Sequence, residues 1–271
     1  FGRYGRRLHS ANGQRLTATN GASNGGTLNI AGTFRGDVEN AGTLRNSGVL
    51  TGNVDNRSGA TLTSSNTITG NVENDGTANL AGTITGELDN STADLTLTGD
   101  LEVGSLKNTG SGSVISVGAD QTLTSNGTVD NEGTLTVGLD GALVADGDIT
   151  NSRTMTVTGS AETKGDVTNT GTLDVGGMLA ADGDITNEAS MTVSGGVTAG
   201  GDVTNNSTLD VDGNLAAEGA VSNNGTLDIA GSLAAEDGLT NNDVMNVAGS
   251  IAGDVTNTDN AEMNLTSGSI T

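Results

Sequence analysis

Four aspartates recur at the same place in a repeated pattern. Each follows a glycine, and successive members are 18 residues apart: Asp148, Asp166, Asp184 and Asp202. If the repeats stack, outward side chains of adjacent repeats lie ~4.8 Å apart, and stacked like charges repel one another. Water and salt can screen this repulsion, or a cation can bridge the carboxylates, for which Ca²⁺ is the natural candidate. The column therefore predicts either a solvated acidic face or a weak calcium site, and no other cofactor is expected.

Residues suited to catalysis are scarce. His9 is the only histidine, and the absence of cysteine excludes a thiol nucleophile, a disulfide and a thiolate metal site. From residue 108 onward the only basic residues are Arg153 and Lys164, and no aromatic residue is present to stack on a sugar ring. We expect these two bases to form surface ion pairs with nearby acids. The chain is therefore expected not to be an enzyme, with a polysaccharide-acting β-helix enzyme as the alternative.

Asparagine forms the strongest periodic column. One asparagine follows each Gly-x-(Val/Ile/Leu)-x unit from Asn40 to Asn257, at intervals of 16, 18, 16, 18, 23, 20, 18, 18, 18, 18, 18 and 16 residues. Asparagine tolerates left-handed backbone and bonds to the backbone at turns, and stacked asparagines bond to one another. The column predicts a structural ladder at a corner, with a ligand-binding row as the alternative. Its regular part comprises Asn151, Asn169, Asn187, Asn205, Asn223 and Asn241.

Each interval of 18 divides into three sixes. From Asn205 the chain reads "NNSTLD", "VDGNLA" and "AEGAVS", and from Asn223 it reads "NNGTLD", "IAGSLA" and "AEDGLT". In "LDV" two aliphatic residues are two positions apart, which is the alternation of a strand, and glycine supplies the freedom for a corner. Three strands per repeat predict an all-β fold, a triangular, single-stranded parallel β-helix (β-solenoid) of about 18 residues per coil.

The predicted solenoid has about thirteen coils over residues 25–271 and a thin interior. One layer is expected to be filled by small aliphatic side chains, leaving no room for bulky aromatic residues. Its members are Leu173, Val175, Leu179, Ala181 and Ile185. The longer intervals over residues 108–130 predict a bulge at a surface corner, where solenoid insertions usually lie.

Composition and charge limit the possible partners. The 271 residues include 44 Gly and 1% aromatic residues, and disorder is the first alternative for such a chain. The regular spacing of aliphatic residues argues against it. From residue 37 onward, 33 acids face five bases, which repels nucleic acid and anionic lipid. No apolar run is long enough to span a membrane, so neither nucleic-acid binding nor membrane insertion is expected.

The first 24 residues differ from the remainder. They contain arginine and aromatic residues but no acid. We interpret this segment either as a cap on the solenoid or as a basic tail that docks on the acidic body of a neighbouring molecule. The chain starts at Phe1 without methionine, which suggests a processed product. The predicted subunit interface consists of Phe1, Arg3, Tyr4, Arg6, Arg7, Arg15 and Ile270.

The other end carries no recognisable cap. The repeat pattern continues to the last residues, "EMNLTSGSIT". Solenoids are usually capped because a bare edge recruits further strands. The sequence therefore predicts either a chain cut from a longer one or an end that meets the next subunit, and the second case gives a head-to-tail filament.

The repeats resemble two families. "TNTGTLDVGG" and "SNNGTLDIAGSLAA" resemble passenger domains of autotransporters and filamentous-haemagglutinin-like adhesins of Gram-negative bacteria, over about residues 25–270. "IAGTFRGDVEN" and "LAGTITGELDN" look like bactofilins, bacterial cytoskeletal β-helices with an 18-residue coil that polymerise end to end. Both resemblances imply a non-enzymatic, right-handed β-helix. The first also implies secretion, surface display, adhesion or a role in biofilm.

These observations predict an extracellular or cell-surface structural or adhesive β-solenoid. It is expected to polymerise end to end through its terminal coils and its arginine-rich first segment. The expected partner is a second copy of the chain, with other cell surfaces or matrix as further candidates. A monomeric autotransporter-type adhesin and a bactofilin-like cytoskeletal scaffold are the alternatives.

Overall fold

The protein is built from short β-strands. The computed structural model describes residues 2–4 and 8–271, with side chains for residue 9 and residues 11–271. Among these residues there are 40 strands and no helix, so no helix is long and apolar enough to cross a membrane. The chain divides into two compact units, residues 1–138 and residues 139–271.

The first unit contains 19 strands in its described residues. They are β1 (Gly2–Tyr4), β2 (Leu8–Ser10), β3 (Arg15–Thr17), β4 (Ala22–Asn24), β5 (Thr27–Ile30), β6 (Thr33–Arg35), β7 (Val38–Asn40), β8 (Thr43–Asn46), β9 (Val49–Thr51), β10 (Val54–Asn56), β11 (Thr61–Ser64), β12 (Thr67–Thr69), β13 (Val72–Asn74), β14 (Thr77–Ser91), β15 (Asp94–Thr109), β16 (Val114–Val117), β17 (Thr122–Ser125), β18 (Val129–Asn131) and β19 (Thr134–Val137).

The second unit contains 21 strands. They are β20 (Ala142–Ala145), β21 (Ile149–Asn151), β22 (Thr154–Val157), β23 (Ser160–Thr163), β24 (Val167–Asn169), β25 (Thr172–Val175), β26 (Leu179–Ala181), β27 (Ile185–Asn187), β28 (Ser190–Val193), β29 (Val197–Ala199), β30 (Val203–Asn205), β31 (Thr208–Val211), β32 (Leu215–Ala217), β33 (Val221–Asn223), β34 (Thr226–Ile229), β35 (Leu233–Ala235), β36 (Leu239–Asn241), β37 (Val244–Val247), β38 (Ile251–Ala252), β39 (Val255–Asn257) and β40 (Glu262–Leu265).

Within each unit, strands pair in parallel with their copies one coil later. In the second unit, Leu173 of β25 lies opposite Met191 of β28, and Met191 lies opposite Leu209 of β31. Most strands pair with the strand three places later in the chain, so a coil typically holds three strands. The exceptions are β14 and β15, of 15 and 16 residues, which each run around most of a coil and pair with one another. We call the strand that ends in the asparagine column the third strand of its coil, and the next two the first and second strands. The predicted all-β, parallel solenoid with about 18 residues per coil is confirmed.

The solenoid has about 14 turns, one more than expected. The additional turn comes from residues 2–17, whose strands β1, β2 and β3 pair in parallel with β4, β5 and β6. The described strands of the first 24 residues therefore continue the pairing of the coils that follow. Whether this segment acts as a cap or as a docking tail stays a prediction, as do the triangular cross-section and the right-handed path.

The interior is a thin aliphatic column. Strand residues alternate between buried and more exposed positions, and all five side chains of the predicted layer are at most 5% exposed. One expectation about the core is wrong, because Phe34 is completely buried. It lies in β6 between Leu16 and Leu50 in register. A bulky aromatic side chain therefore does fit inside an early coil.

The extra residues of the longer intervals between ladder asparagines lie at the corners between strands. In the 23-residue interval after Asn108, extra residues form turns, one of which is closed by a hydrogen bond from the N–H of Ser113 to the carbonyl of Gly110 (3.2 Å). Asp120 has a φ of 57° and Asp140 a φ of 53°, the left-handed values of tight turns. Insertions at corners leave the strand register of the coils intact.

Candidate functional site

The asparagine column of the second unit is a buried hydrogen-bonded ladder. Each Nδ2 donates to the Oδ1 of the asparagine one coil later, at 2.7–2.9 Å from Asn151 through Asn257. Its members through Asn241 are at most 1% exposed. The first unit has an equivalent ladder from Asn24 to Asn131, with spacings of 2.7–3.0 Å. These amides bind neighbouring coils to one another and face away from solvent.

The ladder asparagines lie at or near strand ends, and most of them donate two hydrogen bonds to the next coil. The Nδ2 of Asn187, for example, donates to Oδ1 of Asn205 (2.9 Å) and to the carbonyl of Thr208 (2.7 Å). None of the ladder asparagines has a positive φ. Of the two properties of asparagine that favour such a column, the structure uses the stacking of side-chain amides, each of which pairs a donor with an acceptor, and does not use left-handed backbone.

The four column aspartates also bind the next coil. Oδ1 of Asp148 accepts the N–H of Asp166 (2.9 Å), and Oδ1 of Asp166 accepts the N–H of Asp184 (2.8 Å). Asp184 accepts from Asp202 (2.7 Å), and the series ends where Asp202 accepts from Ala220 (2.8 Å). The carboxylates are exposed, but each is fixed by a backbone donor one coil away.

The glycine before each aspartate has a steric reason. A Cβ on Gly183 would come 2.0 Å from Oδ1 of Asp166, and one on Gly201 would come 2.0 Å from Oδ1 of Asp184. The carboxylate of one coil therefore packs directly on the glycine of the next. The recurring Gly-Asp pair is a packing unit, because only glycine leaves space for the carboxylate to reach the following N–H.

Sequence reasoning missed this backbone contact. Its signal was present in the first unit, where Asn53 and Asn71 take the aspartate's place in "TGNV". Oδ1 of Asn53 accepts the N–H of Asn71 (2.9 Å), as the aspartates do in the second unit. Because either a carboxylate or an amide can occupy this position, the shared requirement is an oxygen that accepts a hydrogen bond. A calcium site does not explain why an amide can take the aspartate's place.

The described residues contain no group of three or more histidine, cysteine or acidic side chains arranged to hold a metal ion. The calcium site at Asp148, Asp166, Asp184 and Asp202 stays a prediction, and its geometry must accommodate an oxygen already bonded to the backbone. In the structure, each of these four carboxylates accepts one backbone hydrogen bond from the next coil.

The third strands of the first unit carry an acidic face. Asp55 lies opposite Glu39 and Glu73, and Glu73 lies opposite Asp89. Burial raises the pKa of Glu73, and neighbouring carboxylates, Asp55 first among them, raise it further. Arg57 offsets part of this repulsion, with Nη2 at 2.9 Å from Glu39 and 3.4 Å from Asp55.

A second acidic pair lies on the first strands of the second unit. Asp210 of β31 is opposite Asp228 of β34. Burial raises the pKa of Asp210, and the carboxylates of Asp212 and Asp228 raise it further. Asp228 is held by the Nδ2 of Asn246 at 2.5 Å. Stacking Asp210 on Asp228 is therefore less favourable when both carboxylates are ionised.

Both lysines form surface ion pairs, whereas the ion pair expected for Arg153 is not found among the described residues. Nζ of Lys164 lies 2.6 Å from Asp146, and Nζ of Lys107 lies 2.8 Å from Glu87. Both lysines are at least 40% exposed. The pairing predicted for Lys164 is present, with Asp146 as its partner in place of the column aspartates. His9, the single histidine, is exposed on β2.

The predicted interface residues lie on the first and last coils where they are described. The backbone of Arg3 and Tyr4 forms part of β1, and Arg15 is exposed at the start of β3. Ile270 is 51% exposed and forms an isolated parallel bridge with Ile251. The remaining predicted members, Phe1, Arg6 and Arg7, lie outside the described residues.

The last coil exposes positions that are buried in the coil before it. Met263 and Leu265 are half-buried, whereas their partners Met245 and Val247 are 0% exposed. Asn257, the last member of the ladder, is exposed. Strands β39 and β40 pair with β36 and β37 on one side. We call Met263 and Leu265, which are half-buried, the rim of the last described coil.

Comparison with known proteins adds no identity. No protein-family model, no curated protein sequence and no solved structure matches the chain. The coil length of about 18 residues agrees with the resemblance to bactofilins.

Proposed function

We propose that the protein is a structural or adhesive β-solenoid of a bacterial cell surface or extracellular matrix, and that it polymerises end to end. The observation that carries the proposal is the parallel pairing of each strand with its copy one coil later, as Asn187 of β27 pairs with Asn205 of β30. Assembly through the terminal coils would continue the same pairing from one copy to the next. An unpaired strand edge is a template for strands of another chain.

The use of polar side chains supports a structural role. The asparagine ladder and the aspartate column bond one coil to the next, as Asn169 does to Asn187 and Asp166 does to Asp184. Side chains engaged in this way hold the solenoid together and leave few groups for chemistry. A fibre subunit or a rigid adhesin stalk requires such internal bonding and little else.

The resemblance to autotransporter passengers and filamentous adhesins supports a location outside the cell. Acidic character gives solubility in salt-rich surroundings, and the chain carries a formal charge of −23. The coil of about 18 residues favours a second candidate, a bactofilin-like cytoskeletal scaffold. A signal peptide in the unprocessed gene product, together with cell fractionation, separates an exported protein from a cytoskeletal one.

Electron microscopy of the purified chain tests polymerisation. We expect fibres, and we expect Leu265→Lys to abolish them because it places a charge on the half-buried rim. Thr266→Lys is the matched control, since Thr266 is exposed on the adjacent position. Deletion of residues 1–20 is also expected to prevent assembly. Isolated particles from the unaltered chain contradict polymerisation and favour a monomeric adhesin. Fibres that persist in Leu265→Lys contradict a contact through the last coil.

A further inference from the structure

Asparagine is followed directly by glycine at five places in the chain: Asn12, Asn20, Asn24, Asn126 and Asn224. Such a step can react with itself, because glycine has no side chain to shield its backbone nitrogen from the preceding carboxamide. Attack of that nitrogen on Cγ closes a five-membered succinimide ring. The attack requires a free carboxamide, a free glycine N–H and backbone that can move, and the five steps meet these conditions unequally.

Two of the five carboxamides are held by hydrogen bonds to neighbouring coils. Asn24 is 1% exposed, and its Nδ2 donates to Oδ1 of Asn40 (2.7 Å). Asn224 is exposed, but its Nδ2 donates to Oδ1 of Asn206 (2.7 Å) and its Oδ1 accepts from Asn242 (2.7 Å). Reaction at either position first has to break these hydrogen bonds, so it requires local opening of a coil.

Two further steps have one reacting group engaged. Nδ2 of Asn126 donates to Oε1 of Glu102 (2.8 Å). The N–H of Gly21, which is the nucleophile for Asn20, donates to the carbonyl of Ala18 (2.9 Å). Both asparagines are exposed. Their steps are therefore restrained by a single hydrogen bond each.

Asn12 differs from the other four, because both of its reacting groups are free. It lies in an exposed turn that the N–H of Gln14 closes on the carbonyl of Ala11 (3.0 Å). In the part of the chain that the structure describes, neither the carboxamide of Asn12 nor the N–H of Gly13 has a hydrogen-bond partner. Gly13 has a φ of 78°, and a Cβ there would meet nothing within 4 Å, so the space around the turn is open.

We propose that Asn12 is a site of spontaneous deamidation in the folded protein. The nitrogen of Gly13 gives up its proton and bonds to Cγ of Asn12, the Cγ–Nδ2 bond breaks, and ammonia leaves with that proton. One water molecule then opens the succinimide at either carbonyl, which gives aspartate or isoaspartate. The step exchanges an amide for a carboxylate and requires no oxidant or reductant. It does not depend on the proposed function.

The modification adds an acid to the longest acid-free stretch of the chain. Residues 1–36 contain five arginines and no aspartate or glutamate. Arg15 is exposed on β3, close to Asn12 in the sequence. The most basic part of the protein therefore becomes less basic with age. Isoaspartate adds one atom to the backbone, which an exposed turn tolerates better than a paired strand does.

Peptide mapping by mass spectrometry tests the site, with the full chain incubated at neutral pH and physiological temperature. We expect Asn12 to lose its amide at least about ten times faster than Asn24 or Asn224, since those two must first break hydrogen bonds. The same chain unfolded in guanidinium chloride is the control. There the five steps share the same reacting groups without the fold, and we expect similar rates.

The substitution Asn12→Gln gives a matched variant, because glutamine would have to close a larger and less favourable ring. Ion-exchange chromatography of the aged, unaltered chain should resolve an increasing fraction of a more acidic species, and most of it should be missing from Asn12→Gln. Reaction of Asn24 or Asn224 as fast as Asn12 in the folded chain overturns the inference. So does loss of the Asn12 amide only after unfolding, or an acidic species that forms equally in Asn12→Gln.

Discussion

At the scale of single residues, buried amides add hydrogen-bonded contacts between coils to the packing of the aliphatic core. Asn187 is 0% exposed, accepts from Asn169 and donates to Asn205. A hydrogen bond contributes about 1 kcal/mol net, whereas leaving a buried partner unsatisfied costs about 1–3 kcal/mol. The ladder therefore enforces register strongly, since a slipped coil would leave several amides unpaired.

Removing one ladder amide should destabilise the second unit. We expect Asn187→Ala to lower the free energy of unfolding by about 2–4 kcal/mol, because it removes the buried hydrogen bond from Asn169 and those to Asn205 and Thr208. Chemical denaturation followed by circular dichroism measures this loss. Asn206→Ala is the control, because Asn206 is exposed and should change stability by less than about 0.5 kcal/mol. Equal effects of the two substitutions would contradict the structural role of the ladder.

Asn46 is a buried amide outside the ladder. Its Nδ2 donates to Ser64, but its Oδ1 is the one buried side-chain polar atom without a hydrogen-bond partner among the described residues. Its neighbour in register on the preceding coil is Ile30. We expect Asn46→Leu to raise the free energy of unfolding by about 1 kcal/mol, because it removes this unpaired acceptor from the interior. A lower denaturation midpoint in Asn46→Leu would contradict this expectation.

At the scale of elements, the close contact between coils at the corners determines which residue types can stand there. The carboxylate of Asp166 bonds the N–H of Asp184 across a corner, and it reaches that N–H over Gly183. The three strands of a coil are short, so each corner must turn and bond within a few residues. Close backbone approach, supplied by glycine, makes this possible.

A side chain at this corner should therefore be costly. We expect Gly183→Ala to destabilise the protein by about 1–3 kcal/mol, because the new Cβ collides with the Asp166 carboxylate. Gly112→Ala is the matched control, since a Cβ there meets nothing within 4 Å. Thermal unfolding of the two variants measures the difference. Similar midpoints would contradict the packing assigned to the Gly-Asp pair.

The acidic pair on neighbouring first strands predicts a pH dependence. The pKa of Asp210 is raised, by burial first and then by Asp212 and Asp228. Between the ordinary carboxyl value and the raised value, the folded chain binds more protons than the unfolded chain. Stability is therefore higher on the acidic side of that window and falls as the pH rises through it. We expect Asp228→Asn to reduce this fall, because it removes one charge that opposes ionisation of Asp210.

Thermal unfolding between about pH 4 and pH 8 covers the carboxyl range and measures the effect. Asp174→Asn is the control, because Asp174 lies opposite Thr156 and Thr192 and has no acid beside it in register. A pH dependence that changes equally in both variants would show that general charge repulsion, and not the Asp210–Asp228 pair, is responsible.

The sequence predicted the elements better than their contacts. The spacing of "TLDV" and "NLAA" indicates inward and outward residues directly, so the strands and the buried layer around Leu173 follow from alternation. The hydrogen bond from the backbone of Asp184 to Asp166 does not follow from the sequence, because the residue type alone does not show that a carboxylate faces the N–H of the next coil. Phe34 was also missed, since the composition averages over all coils and does not show that a single coil can bury an aromatic side chain. The first turn was missed because its sequence departs from the repeat.

At the scale of the whole molecule, stability comes from repetition. Each described coil contacts mainly its neighbours, so stability is approximately a sum of coil and interface contributions. Among the described residues, the chain buries a column of aliphatic side chains with one aromatic residue, Phe34, and it repeats the same parallel pairing and the same amide contact in each unit. This arrangement tolerates a large negative charge, because most acids lie at exposed positions of the coils.

The parallel stacking of 18-residue coils is the claim on which every other conclusion depends. The chain of registered partners from Thr168 through Thr186, Thr204 and Ser222 reaches Thr240 in four coils. Spin labels on Thr168→Cys and Thr240→Cys, measured by double electron–electron resonance, test it within one unit. We predict a narrow distribution centred near about 20 Å, four strand spacings of ~4.8 Å. A broad distribution, or a mean beyond about 35 Å, would contradict stacked coils.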